Sequence, residues 1–331
     1  MLDSCDFDRR LIIHVGSHKT GTTTIQRWLD QNANALKANG ILYPDSGRSP
    51  YAPDQHWGFG NAVVKKDTFA LNKITQSLSE ELKKADYHTI LISTEVLSRK
   101  TALADNLALL ASIFPYARRE WLLVMRRQDE LLRSQYAEHL KQGYLAYPES
   151  YKKLITPDYL DHLVRIKQLV QATSNDPIRI ARFSEMRKDL VRNFLGFANL
   201  KLAEKSNYTG GKTANAKRRN VSPAQWALAL MRYTNRLPRP LAQASRTAAM
   251  RLGERYPHLL PFKLLPSDVS SEVMRLYYPS NQFIEQNLFS KSPQIWTSAY
   301  PGHDHQEQLS NEMKDHGFLK AVSERVTGWT N

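Results

Sequence analysis

The stretch His14-Val15-Gly16-Ser17-His18-Lys19-Thr20-Gly21-Thr22-Thr23-Thr24 puts two glycines and a lysine among hydroxyl side chains. It stands between an apolar run, residues 11–13, and a helix-like segment from residue 25. Backbone N–H groups at a helix start point into such a loop, and the helix dipole adds partial positive charge there. Gly16 and Gly21 let the backbone turn and approach an anion closely. Lys19 brings a full charge, while Ser17, Thr20, Thr22, Thr23 and Thr24 bring hydroxyl donors and His18 a ring nitrogen. Three consecutive β-branched threonines are poor helix formers, so an ordinary helix cap explains them badly. The loop reads as an anion cradle.

The order of its residues narrows the anion. A Walker loop has glycine, four residues, then Gly-Lys-Ser/Thr. Here the lysine precedes the second glycine, and the strand-like "WLLVMRR" does not end in an acidic residue to hold magnesium. Magnesium-dependent triphosphate hydrolysis loses ground. A second constellation, Arg126 with Ser134 eight residues on, offers a planar fork and a hydroxyl on a strand-to-helix turn. Arg127 reads equally as a neighbouring contact or a solvated charge.

Taken together, "HVGSHKTGTTTIQRWL" resembles the 5′-phosphosulfate-binding loop of the sulfotransferase superfamily. That family uses 3′-phosphoadenosine 5′-phosphosulfate (PAPS), and lysine before Gly-Thr-Thr is typical of its membrane-associated and bacterial branches. Arg126 and Ser134 match its 3′-phosphate motif, an arginine at a strand end and a serine eight positions later. The basic loop with Lys212, Arg218, Arg219, Asn220 and Ser222 resembles the "RRN-x-S" segment of bacterial sulfotransferase-like sequences. In the superfamily a late basic loop folds over the nucleotide, which implies that role for one or both of Arg218 and Arg219; a solvated loop is the plainer alternative. The resemblance spans residues 11–225 on motifs. It implies a P-loop NTPase-like fold, PAPS as co-substrate, no metal, and transfer of a sulfuryl group to a hydroxyl or amine.

Such a transfer needs a base for the acceptor proton and cations for the leaving phosphate. Lys19 is the natural electrophile. Two bases stand out. Glu95, in "ILISTEVLS", ends a strand-like run, with a capping or Arg99-paired carboxylate as the alternative. His56, in "APDQHWGFGN", sits in an expected loop, with a surface histidine beside Trp57 as the alternative. The aromatic segments "QHWGFG" and "KQGYLAYPESY" are expected to line an acceptor pocket. Acceptor identity stays open among a polyanionic glycan, a lipid, a small alcohol and a peptide tyrosine. The rivals are a P-loop small-molecule kinase and a non-catalytic nucleotide- or polyanion-binding protein.

The elements that must carry these residues alternate. Residues 11–16, 40–44, 89–97, 119–127 and 177–183 read as strands; helical patterns follow 25–36, 68–84, 128–142 and 185–197. Strands separated by such helices predict an α/β fold with a central parallel sheet in three layers. Its ligand belongs beyond the carboxyl ends of the strands. Residues 206–331 read as a basic loop and then helices broken by prolines, an elaboration of one domain whose core is 10–205. The 331 residues carry a net charge of +14, which favours an anionic partner. No RNA-binding aromatic signature, zinc finger or basic heptad is present, so nucleic acid is a minority reading. The single cysteine, Cys5, excludes an internal disulfide framework. No stretch has the apolar length to cross a bilayer, and the acidic start is unlike a signal peptide, so a cytoplasmic protein is expected.

Overall fold

Successive side chains of a strand point to opposite faces, and in this chain both faces of every central strand are apolar. Leu11, Ile13 and Val15 enter one core, while Ile12 enters another across the sheet. The computed structural model describes residues 9–98, 103–114, 118–173, 175–202, 223–297 and 316–330. Its strands are β1 (Arg10–Val15), β2 (Ile41–Leu42), β3 (Thr89–Thr94), β4 (Arg118–Met125), β5 (Ile178–Arg182) and β6 (Val326–Trp329). They form one sheet in the order β2-β3-β1-β4-β5-β6. Every pair is parallel.

Helices cover both faces. On one side lie α1 (Thr22–Gln31), α2 (Ala33–Ala38), α9 (Phe183–Met186) and α10 (Leu190–Phe197). On the other lie α3 (Trp57–Lys65), α4 (Thr68–Lys83), α5 (Leu103–Ile113), α8 (His162–Ala172), α14 (Tyr278–Leu288) and α15 (His316–Arg325). This is the three-layer α/β arrangement that the alternating pattern predicts. A separate apolar cluster ties α6 (Gln128–Gln142) and α7 (Pro157–Leu160) to α11 (Gln225–Thr234), α12 (Arg239–Arg255) and α13 (Ser267–Leu276).

Three local expectations are revised. The sheet does not end with residues 177–183, because Val326, Thr327, Gly328 and Trp329 pair alongside β5. A four-residue strand carries too little alternation to be read in sequence. Its glycine is needed for packing, since a Cβ at Gly328 would meet the Leu288 carbonyl oxygen at 1.9 Å. The helix read over 185–197 breaks at a 3-10 turn, Arg187–Asp189, and restarts where Asp189 caps the Arg192 N–H. Finally, Trp57 opens helix α3 with His56 at its N-cap, so "HWGFG" is not a loop.

Candidate functional site

β1 sits between β3 and β4, and the chain leaves it first toward β2 and β3, then toward β4 and β5. That reversal makes the carboxyl end of β1 a topological switch point, where open α/β sheets leave a crevice. The loop from Gly16 to Gly21 fills this position. Lys19 (φ 65°) and Gly21 (φ 78°) both adopt left-handed backbone conformations, and Gly21 is the N-cap of α1. At position 21 a β-carbon would be strained and would meet Leu190 Cδ2 at 2.4 Å, which favours glycine. The Thr20 hydroxyl donates to the Ser17 carbonyl at 2.6 Å and fixes the turn from within.

The start of α1 differs from those of α4, α8 and α10, while α2, α3, α11, α12 and α14 share its lack of a side-chain cap and of a first-turn acid. Asp67, Asp161 and Asp189 cap α4, α8 and α10 through their side chains. α1 has no side-chain cap and no acidic residue in its first turn. Its leading N–H groups have no intrahelical acceptors, so the partial positive charge there is unopposed from within the helix. Ser17 is 2% exposed, and its hydroxyl oxygen lacks a hydrogen-bond partner among the described residues. Thr22 is buried, Thr23 half-buried and Thr24 exposed. This donor set suits an oxyanion.

The two sequence motifs meet. Arg126, just past β4, donates from Nη1 to the Lys19 carbonyl at 2.9 Å and from Nε to Glu130 at 3.1 Å. Its guanidinium lies over the Phe183 ring, 5.2 Å from the centroid. Ser134 is half-buried two turns into α6, the helix that begins directly after this arginine pair. Arg127 makes two bonds to Asp129, at 2.7 and 2.8 Å, and that carboxylate also accepts from the Ser270 hydroxyl. Arg127 is therefore part of an ion pair rather than a merely solvated charge.

Beside the loop opens a cleft of about 690 Å³. One wall carries His18, Lys19 and Glu95; the other is the α6 stripe of Gln135, Glu138, His139 and Gln142, with Tyr144, Lys153 and Tyr159 nearby. His18 Nδ1 lies 3.0 Å from Glu95 Oε2. Lys19 Nζ donates to Glu138 Oε2 at 3.1 Å, bridging the walls. Glu138 also receives Lys141 at 2.6 Å and Gln142 at 2.8 Å. Partial desolvation pushes the Glu138 carboxyl upward, but the Lys141 hydrogen bond and the Lys19 charge outweigh it and hold the pKa at about 2. So acidic a group is a weak proton acceptor near neutrality. His139, beside it, is lowered from the usual imidazole range by desolvation, against the pull of Glu138.

His56 does not line this cleft. It is 1% exposed, its Nδ1 accepts from the Ser93 N–H at 3.1 Å, and its Nε2 contacts the Pro44 carbonyl at 2.9 Å. The two contacts fix a neutral ring with the proton on Nε2, and burial followed by the Arg48 charge lowers its pKa to about 4. Both nitrogens are committed to the main chain, so the geometry gives His56 the job of holding β3 to the segment after β2. Of the aromatic segments, Tyr144 lines the cleft, whereas Phe59 and Tyr151 are buried in separate apolar clusters. Arg218 and Arg219, with Lys212, Asn220 and Ser222, lie outside the described residues, as does Arg99.

Sequence reasoning missed Glu138, Gln135 and His139. The signal was present: positions 135, 138, 139 and 142 follow the i, i+3, i+4, i+7 spacing of one helical face, and all four are polar. Apolar residues set the search pattern, so a polar stripe facing a cleft passed as the solvent side. Compared with protein-family models and with curated proteins, the chain matches none.

Proposed function

We propose that the chain is a PAPS-dependent sulfotransferase, moving a sulfuryl group to a hydroxyl or amine of an acceptor seated in the cleft. The observation that carries this reading is the Arg126–Lys19 contact. It joins an uncapped, lysine-bearing helix start to an arginine–serine turn more than a hundred residues away, at the switch point of a parallel sheet. Two anion-binding devices side by side suit a nucleotide with two separate anionic groups, and the sequence of each resembles the family's motif for one of them.

Within this reading, the α1 N–H groups, Ser17, Lys19 and the threonine hydroxyls hold the phosphosulfate, and Arg126 and Ser134 hold the 3′-phosphate. PAPS supplies a sulfuryl group activated by its anhydride link to phosphate. Lys19 steadies the negative charge that grows on the leaving phosphate. Glu95, at the cleft and oriented by His18, takes the acceptor proton as the acceptor O–S or N–S bond forms and the S–O bond to phosphate breaks. His56 leaves the list of bases for the reason given above. A small-molecule kinase would use the same cradle with magnesium-bound ATP.

Thermal melts separate the two. With 3′,5′-adenosine bisphosphate at a hundredfold excess over Kd, the stabilisation expected is about 2.7 kcal/mol. A shift with ATP and magnesium, and none with the bisphosphate, overturns the sulfotransferase reading. Labelled-PAPS transfer across an acceptor library then tests turnover itself.

A further inference from the structure

The surface at the far end of α6 has a character unlike the rest of the described residues. Nine of the fourteen large hydrophobic side chains exposed among the described residues lie between Leu230 and Phe262. Residues 230–263 hold seven lysines and arginines against one acidic residue, Glu254. Arg236, Arg239, Arg251, Arg255 and Lys263 are all exposed, and residues 254–263 are exposed without interruption.

The packing explains why these apolar groups face outward. α12 touches the body through small residues, with Ala242, Ala249 and Gly253 buried. A Cβ at Gly253 would meet Ala227 Cβ at 2.9 Å, so α12 lies close against α11 along its small residues. Met250 is the one large apolar side chain of α12 that packs against the cluster beneath. Leu241 and Leu252, eleven residues apart, fall on one side of α12, and Glu254 falls on nearly the opposite side. The segment after α12 returns along α11: Trp226 Nε1 donates to the Tyr256 carbonyl at 2.9 Å, and Arg232 lies over the Phe262 ring at 5.0 Å. Leu259, Leu260 and Phe262 thereby join the exposed α11 side chains Leu230 and Tyr233 in one region.

We propose that this α11–α12 surface docks on an anionic lipid bilayer, lying in the headgroup region. Apolar side chains interleaved with arginines are what that interface accommodates: the leucines and aromatics enter the acyl boundary while the guanidinium groups stay with lipid phosphates. A second copy of the chain is a poor occupant, because two such patches bring like charges together. A nucleic acid would leave the leucines in water. Among the described residues no helix is long and apolar enough to cross a membrane, so the attachment is to the surface. Arg246 lies against Gly143, and Arg236 donates to the Ala146 carbonyl at 3.0 Å, so the docked surface is tied to the loop that carries Tyr144 at the cleft.

Vesicle co-sedimentation of the full chain tests this. We expect binding to phosphatidylcholine vesicles containing roughly a third phosphatidylserine, little to phosphatidylcholine alone, and weakening with salt. Leu259→Ser with Leu260→Ser, and separately Arg251→Glu with Arg255→Glu, should each lower the partition coefficient at least about tenfold with unchanged melting temperature. Lys83→Glu with Lys84→Glu, exposed charges at the C-terminal end of α4, should lower it far less. Equal loss from that control pair, or binding that survives both patch variants, shows general adsorption of a basic protein and overturns the proposal. So does equal binding to phosphatidylcholine alone, or a dimer in solution that the leucine variants abolish.

Discussion

The cleft and the α11–α12 surface treat positive charge in opposite ways. At and beside the cleft four cations have an acid: Lys19 has Glu138, Arg126 has Glu130, Arg127 has Asp129, and His18 faces Glu95. On α11–α12 the arginines meet rings and amides instead. Arg236 lies over Tyr147 and Tyr233, Arg255 over Tyr256, and Arg246 bonds to Asn235. Matched charges hold side chains at fixed positions and contribute little long-range field; unmatched ones do the reverse. Among the described residues, positive charge beside the proposed nucleotide site is thus largely matched by acids, and that on α11–α12 is not. If both proposals hold, a net charge that pointed to an anionic partner divides between two tasks, a local grip on a cofactor-sized anion and an extended attraction elsewhere.

The sharpest way to break this division is at Lys19. Lys19→Ala removes the charge beside the proposed leaving phosphate and should lower kcat by about a thousandfold or more in a labelled-PAPS assay. Arg251→Ala with Arg255→Ala should leave kcat on a soluble acceptor near that of the parent. If the paired arginines matter as much as Lys19, the two regions are one functional surface and the comparison fails.

Arg126→Ala comes next in size. Its guanidinium supports the Lys19 carbonyl and, in the proposed reading, grips the 3′-phosphate. KM for PAPS should rise about 10- to 100-fold, corresponding to one lost charge-assisted pair, with a smaller fall in kcat. An unchanged KM would leave Arg126 as a brace for the loop and no more.

How much of this was legible in the sequence follows from what each residue's pattern encodes. Residues 11–13 and 119–127 announced buried strands because both faces of a central parallel strand are apolar, and the glycine–lysine loop announced itself by composition. β6 was illegible, since Val326–Trp329 is a strand only by virtue of β5 beside it. His56 was misplaced for a related reason: a histidine in a polar, glycine-containing stretch looks exposed, and only the fold shows Ser93 and Pro44 closing on both its nitrogens. Glu138 needed the cleft itself to be visible. Helical spacing gives a face, and what that face meets is a tertiary fact.

The smallest effect tests whether matched charge at the cleft is structural. Glu138→Gln keeps the side chain's shape and removes the charge that holds Lys19 across the walls. The folded carboxyl has a pKa of about 2 against an ordinary 4.5. A depressed acid contributes stability that is present above the unfolded pKa and is lost as pH falls through the folded one. The group is about a quarter solvent-exposed, so screening reduces the contribution to about 1–2 kcal/mol near neutrality. Denaturant melts of parent and variant should therefore differ by that amount at pH 7 and converge between pH 4.5 and about 2. A constant difference across that range would mean that Glu138 acts by hydrogen bonding alone. Lys19 would then be positioned by its backbone turn rather than by the opposite wall.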